Sequence, residues 1–179
     1  QAMAGSHDPR DRSTAALPRV VAAVLFSLPD AASAVHLAGE CARTTHQSPF
    51  VLDACRYYGA MLVGTLQGAA PRAVLEGLYE PSGGFWAGRP LKPAVAAAAR
   101  AAASPRPNAA ANKGDAPDAM LAIARVRTAV AAAADFDDAL KRARDGAVEP
   151  GVETALAGTL MGALHGAAVI PRERIAQIA

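Results

Sequence analysis

Apolar residues recur at helical spacing along most of the chain. After Pro117, for example, Met120, Ile123, Val126 and Val130 lie three or four residues apart, which places them on one face of a helix. No segment shows the sustained alternation of apolar and polar residues that a half-buried strand requires. The pattern therefore predicts an all-α protein, with helices over residues 15–28, 31–43, 49–66, 71–79, 93–103, 117–134 and 136–144, and a further helix after Thr154.

Capping residues mark several of these helix ends independently of the apolar pattern. Asp30 and Asp135 each stand directly before a predicted helix, where a carboxylate can accept hydrogen bonds from free backbone N–H groups. Ser48 followed by Pro49 is a strong start signal, because proline is tolerated at the first helical position. Gly146 follows the helix over 136–144 as a C-terminal glycine. These capping signals therefore support the helix ends that the apolar pattern predicts.

The segment between residues 146 and 171 is unusual because Gly158, Gly162 and Gly166 recur every four residues. That spacing places the three glycines on one face of a helix. Each glycine costs roughly 1 kcal/mol of helix propensity relative to alanine, so three of them need a packing reason. We expect this face to be buried at the centre of a helical bundle, with His165 as a hydrogen-bonded core residue.

The composition agrees with a helical core. Hydrophobic residues make up 52% of the 179 residues but aromatic residues only 4%, so alanine, leucine and valine must build the core, and alanine favours helices. We expect residues 15–179 to form one domain with a flexible loop at 104–116. Residues 1–14 are predicted to be a flexible segment, whose first seven residues resemble the remnant of an expression tag.

Charge, cysteine content and apolar run length exclude several classes of partner. Eighteen lysines and arginines stand against 16 acidic residues, and the basic residues are scattered rather than gathered into a nucleic-acid-binding surface. No apolar run reaches the ~20 residues that a membrane span needs, and the N-terminus has no apolar signal segment. Cys41 and Cys55 lie in apolar helical patterns, as buried thiols do. We expect a cytoplasmic protein that binds neither nucleic acid nor membranes.

Three motifs resemble the ADP-ribosylglycohydrolases, a family that includes the enzymes removing ADP-ribose from modified proteins. Residues 149–166, EPGVETALAGTLMGALHG, resemble the closing motif of that family, a polar turn ending in threonine and followed by an Ala/Gly-rich helix. Thr45, His46 and Pro49 resemble its T-H-x-x-P junction between two helices, and the residues from Phe136 resemble its penultimate helix. The resemblance covers residues 17–175, about the C-terminal half to two-thirds of a family domain. It implies a compact, orthogonally packed bundle of helices.

The resemblance also implies a cofactor. In the family, two Mg²⁺ ions are held by acidic residues of a T-D-D-type motif and of a D-x-D-T turn. Here Gly151 and Glu153 stand at the aspartate positions of the turn and Thr154 at its threonine, while no acidic pair precedes the Thr-His motif. Glu153 and Thr154 are thus the candidate metal ligands, and Glu153 is the candidate catalytic base. Alternatively, Glu153 stabilises the helix N-terminus through the macrodipole and Thr154 caps backbone amides.

Two other residues are candidate contacts for ADP-ribose. His46 lies in the family-like junction, although a histidine at a helix boundary also commonly satisfies backbone groups. Trp86 is the only tryptophan and follows the loop at residues 81–84. Its ring could stack on an adenine or ribose, or it could anchor the loop on the bundle.

These observations leave three functions open. The first is an ADP-ribosylglycohydrolase acting on ADP-ribose linked to a protein or a small molecule, with the missing acidic motif on an N-terminal part or partner subunit. The second is a catalytically inactive binding or regulatory module that recognises ADP-ribose. The third is a structural helical protein that forms a homo-oligomer.

Overall fold

The computed structural model describes residues 5–101 and 116–176. Within these ranges the chain consists of helices joined by short connections, with no β-strand. Short 3-10 turns precede the first α-helix and follow the eighth. The α-helices are α1 (Val20–Ser27), α2 (Ala31–Arg43), α3 (Pro49–Leu66), α4 (Pro71–Leu75), α5 (Pro93–Arg100), α6 (Ala119–Ala132), α7 (Phe136–Asp145), α8 (Pro150–His165) and α9 (Arg172–Ala176).

Helix α3 is the centre of the fold. Its sequence is apolar on nearly all sides, and from Phe50 to Thr65 every residue except Arg56 is buried. Such a helix must be surrounded by other elements. Helices α1 and α2 pack on one part of its surface, whereas α4, α5, α6 and α8 contact others. Helices α6, α7 and α8 also pack against one another, so α3 joins two groups of helices.

Small residues allow α2 and α3 to approach each other closely. A Cβ atom placed on Gly59 of α3 would lie 2.8 Å from the Cβ atom of Ala38 in α2, closer than real Cβ contacts. Ala34, Ala38 and Ala42 are all buried on the α2 side of this interface. An alanine-rich chain with few aromatic rings therefore fills its core by bringing helix backbones together.

A buried arginine connects the ends of two short helices to α6. The Arg127 side chain is fully buried and donates hydrogen bonds to the carbonyl oxygens of Leu75 (2.7 Å), Ala99 (3.0 Å) and Gly77 (3.2 Å). Leu75 ends α4 and Ala99 lies in the last turn of α5. The guanidinium thus satisfies carbonyl groups that helix ends leave without intrahelical partners.

The structure confirms the predicted fold class and the order of the main helices, and it corrects several boundaries. Helix α1 begins at Val20 after a 3-10 turn, and α4 ends at Leu75, four residues before the predicted end. Helix α6 begins after Asp118, whose carboxylate accepts hydrogen bonds from the backbone N–H groups of Met120 and Leu121. Helix α8 already begins at Pro150, so Glu153 lies within the helix rather than in a turn before it.

The predicted burial of the glycine face of α8 is wrong over its second half. At Gly158 a Cβ atom would lie 3.3 Å from Leu140 Cδ2, which is tighter than an ordinary van der Waals contact, but at Gly162 and Gly166 it would meet no atom within 4 Å. Gly166 instead has φ +76° and ends the helix. His165, predicted to be a core residue, is exposed. Of the three regularly spaced glycines, Gly158 therefore allows a close contact with α7 and Gly166 ends α8.

The described part of the N-terminal segment is packed against the bundle, whereas the sequence predicted a flexible segment. Ser6 exchanges backbone hydrogen bonds with Thr45 (2.9 Å) and Gln47 (3.0 Å), and Thr14 is buried. The Ser48 hydroxyl, predicted to cap α3, instead donates to the Asp11 carbonyl at 2.5 Å. Residues 1–4 and residues 104–115 of the predicted loop lie outside the described residues.

The two cysteines occupy different environments. Cys55 is buried as predicted, and burial raises its pKa to about 12. Cys41 is partly exposed. Among the described residues, no helix is both long and apolar enough to cross a membrane.

Candidate functional site

The first turn of α8 contains a buried ion pair at the position of the family-like turn. The Glu153 side chain has 0% exposure, and its two carboxylate oxygens accept hydrogen bonds from Arg125 Nε (2.8 Å) and Nη2 (2.7 Å). The backbone N–H of Val148 adds a third bond, at 3.2 Å from Oε1. Because α6 and α8 pack together, the two charges meet in a parallel, two-bond arrangement typical of strong arginine–carboxylate pairs.

A cleft of about 610 Å³ lies beside this ion pair. One wall comes from the N-terminal segment and the opposite wall from the start of α6, with Val148 at one side. The lining contains both charged and apolar groups, so the cleft can contact both polar and apolar parts of a ligand. The charged lining side chains are those of Arg10, Asp11, Arg12, Asp118 and Arg125, and Leu121 is one of the apolar ones.

Arg12 joins the two walls of the cleft. Its Nε atom lies 2.5 Å from the Asp118 carboxylate, and its guanidinium carbon lies 3.7 Å from the centre of the Phe50 ring. The Arg12 carbonyl oxygen also accepts the N–H of Ala119 at 2.8 Å. The N-terminal wall is therefore fixed to α6 and α3 by an ion pair, a cation–π contact and a backbone hydrogen bond.

His46 lies behind the N-terminal wall rather than in the cleft. Its Nδ1 atom is hydrogen-bonded to the Thr45 hydroxyl at 2.8 Å, and its Nε2 atom lies 4.0 Å from the Asp11 carboxylate. Burial raises the pKa of Asp11, but hydrogen bonds from Ser13 and Ser6 and the charge of His46 outweigh burial and lower it. His46 thus contacts the acid that lines the cleft.

The remaining predicted site residues are not brought together by the fold. Thr154 is half-buried next to Glu153 on α8. Trp86 is buried, its indole N–H donates to the Tyr79 carbonyl at 3.0 Å, and its ring meets Phe85 edge to face at 5.0 Å. It is not part of the cleft lining. In these contacts Trp86 anchors the loop on the bundle.

The comparisons with known proteins agree with this architecture. The family model described as ADP-ribosylglycohydrolase matches residues 2–179. The chain belongs to the ADP-ribosylglycohydrolase family. A solved structure titled "ADP-ribosylglycohydrolase-related protein complex" is similar to it, with a TM-score of 0.69 and 27% sequence identity over 92% of this chain. This chain spans about half of that one, 54% of its length. A search of curated protein sequences finds no significant match.

Membership of the ADP-ribosylglycohydrolase family implies a divalent metal, and the residues of this cleft do not fit one. Both oxygens of Glu153 are already bonded to Arg125, and Glu149 accepts a hydrogen bond from the Thr14 hydroxyl. Across residues 5–101 and 116–176, no group of three His, Cys, Asp or Glu side chains converges on a point that could hold a metal ion. Mg²⁺ requires several converging oxygen ligands, so we derive no step through a metal.

Sequence reasoning did not identify Arg12, Asp118 or Arg125 as site residues. Asp118 carried a signal as a helix-capping residue ahead of α6, but its second role, the bond to Arg12, depends on the fold. Arg125 carried no comparable signal, because it lies off the apolar face that Ile123 and Val126 share. Nothing in the spacing indicated its partner on α8, 28 residues away.

Proposed function

We propose that this member of the ADP-ribosylglycohydrolase family binds ADP-ribose, free or attached to a protein, in the cleft between the N-terminal segment and α6, without metal and without hydrolysing it. The observation that carries the proposal is the Glu153–Arg125 pair. Glu153 is the only carboxylate at the aspartate positions of the family-like turn, and it is neutralised by a protein cation, so it is not free to bind Mg²⁺ or to accept a proton from water.

The cleft lining supports the choice of ligand. Arg125 uses Nε and Nη2 for Glu153, which leaves its Nη1 edge to donate to phosphate oxygens at the cleft. Arg10 is an exposed second donor on the N-terminal wall. Asp11 can accept hydrogen bonds from ribose hydroxyls, and the exposed Leu121 offers an apolar surface to a base. The volume of the cleft is within the range of small-molecule sites.

Isothermal titration of ADP-ribose into the chain tests the proposal, with Mg²⁺ and with a chelator. We expect equal affinity in the two conditions and no release of ADP-ribose from an ADP-ribosylated protein. Leu121→Trp, which fills the cleft from an exposed position, should weaken binding by at least about tenfold. Leu25→Trp is the matched control, because Leu25 is also an exposed leucine, and it lies outside the cleft, on α1.

Three results would contradict the proposal. Binding that requires Mg²⁺, or metal-dependent release of ADP-ribose, would favour the hydrolase instead. Absence of binding in both conditions would favour a structural role for the chain. Equal losses in Leu121→Trp and Leu25→Trp would show that the cleft is not where ADP-ribose binds.

A further inference from the structure

A second concave surface lies between α2 and the first turns of α3, and we call it the α2–α3 groove. It has a volume of about 420 Å³ and is closed at one side by the segment at residues 89–92. None of its lining residues lines the cleft described above. Four cationic side chains line the groove against two acidic ones: Arg43, Arg56, Arg89 and Lys92 against Glu40 and Asp53.

Arg56 is held in a fixed position within this groove. Its Nη1 atom donates to Asp53 at 2.8 Å, and its Nη2 atom donates to the Arg89 carbonyl at 2.6 Å. Its stem lies against the backbone of α2 at Gly39, where a Cβ atom would be 2.9 Å from Arg56 Cγ. The guanidinium also faces the Trp86 ring at 5.4 Å. An arginine fixed in this way loses little further side-chain entropy when it binds a ligand.

The two acids of the groove are already bonded to its own donors. Asp53 accepts from Arg56 through one oxygen and from the Lys92 backbone N–H (2.7 Å) through the other. Glu40 pairs with Arg43 at 3.1 Å. These bonds leave the other two cationic side chains of the groove without a carboxylate partner.

Arg89 and Lys92 supply that uncompensated charge. In the described part of the chain no carboxylate forms an ion pair with either side chain. Arg89 Nη1 lies 3.1 Å from His36 Nδ1. Since a guanidinium only donates, this imidazole nitrogen accepts, and His36 orients Arg89 without neutralising it.

We propose that the α2–α3 groove is an anion-binding site for a diphosphate group, either free or esterified to a nucleoside. Arg56 and Arg89 provide planar donors that match phosphate oxygens, and Lys92 adds a mobile point charge. The excess of positive charge distinguishes this groove from the cleft, where Arg12 and Arg125 each pair with a carboxylate. The proposal does not depend on ADP-ribose binding in the cleft.

Titration of inorganic pyrophosphate in the presence of a chelator tests the groove. The double variant Arg89→Gln/Lys92→Gln should bind pyrophosphate at least about tenfold more weakly than the unaltered chain. Arg142→Gln/Arg144→Gln is the control, because it removes the same charge from α7 and should change affinity less than about twofold. A third variant, Gly39→Ala, displaces the Arg56 stem with every charge retained and should also weaken binding.

The source of the diphosphate is tested with ADP. Tighter binding of ADP than of pyrophosphate would identify a nucleotide site, and equal binding would identify a site for the diphosphate group alone. Equal losses in the two double variants would overturn the proposal, because they would indicate general electrostatic attraction. Absence of pyrophosphate binding to the unaltered chain would overturn it as well.

ADP-ribose itself carries a diphosphate, so the same variants separate the two proposals. If only Leu121→Trp loses ADP-ribose binding, the result supports the cleft as the ADP-ribose site. The pyrophosphate titrations then test the groove separately. Loss in Arg89→Gln/Lys92→Gln alone would assign ADP-ribose to the groove and contradict the cleft.

Discussion

At the scale of single residues, the decisive feature is the partner of Glu153. An acidic residue at this position of the family-like turn suggests a metal ligand, but its function depends on the cation beside it. Here that cation is the guanidinium of Arg125, which takes both carboxylate oxygens. A buried pair of this kind contributes little net stability relative to apolar residues, yet removal of one partner leaves an uncompensated charge.

Glu153→Gln should therefore destabilise the fold by about 3 kcal/mol, because it leaves Arg125 partly buried without a counterion. Urea unfolding of the single variant measures this loss. The double variant Arg125→Gln/Glu153→Gln should lose clearly less than the sum of the two single variants, since neither charge is then left alone. Additive losses would mean that the two side chains are not coupled in solution.

At the scale of helices, glycine has opposite consequences in α3 and α8. Gly59 allows the backbone of α3 to lie against Ala38, whereas Gly162 faces open space on α8. Both glycines carry the same intrinsic cost within a helix. Only at Gly59 is that cost offset by a close helix–helix contact.

Two matched glycine-to-alanine substitutions test this difference by thermal unfolding. Gly59→Ala should lower the free energy of unfolding by about 1–3 kcal/mol, because the new methyl group overpacks the α2–α3 interface. Gly162→Ala should raise it by up to about 1 kcal/mol through helix propensity. Destabilisation by Gly162→Ala would indicate that another surface covers this face of α8 in solution.

At the scale of the whole molecule, the N-terminal segment holds parts of the bundle together. Residues 10–13 form one wall of the cleft, Arg12 contacts both α3 and α6, and Ser6 pairs with the junction before α3. Asp11 stabilises this arrangement as a carboxylate that accepts hydrogen bonds from serines. Ionised Asp11 is therefore one of several groups that hold the N-terminal wall of the cleft in place.

The protein should lose stability in acid. Hydrogen bonds from Ser13 and Ser6 hold the pKa of Asp11 below its usual value near 3.8, and a hydrogen bond from Arg142 does the same for the pKa of Asp138. When the pKa of a carboxyl group is lower in the folded state than in the unfolded state, its ionisation stabilises the fold. This stabilisation is fully present above the unfolded-state pKa and is lost as the pH falls through the folded-state pKa.

Unfolding by urea at a series of pH values checks this expectation. The free energy of unfolding should be nearly constant from pH 7 to about pH 5 and decline below about pH 4. Asp11→Asn should make the acid decline shallower, because its side chain no longer titrates. An unchanged slope in that variant would show that Asp11 does not contribute to the pH dependence.

The sequence by itself determined the helical class, the order of the main helices and the family of this protein. Helical periodicity and capping are local properties, so Asp30 and Asp135, predicted as caps from the sequence, cap α2 and α7 in the structure. Family motifs are also read directly from the chain. In the structure Trp86 is buried and its indole N–H donates to the Tyr79 carbonyl, as the loop-anchor alternative for this residue expects.

Only the tertiary structure decided which charges meet. The partner of Glu153 lies 28 residues away on another helix, and the partner of Arg12 is 106 residues away. No local pattern specifies such pairs, because they depend on how α3, α6 and α8 pack. The same packing determined that Gly162 is open while Gly59 is closely covered. A glycine in a sequence shows that space is available to a neighbour, but only the neighbouring helix shows whether that space is filled.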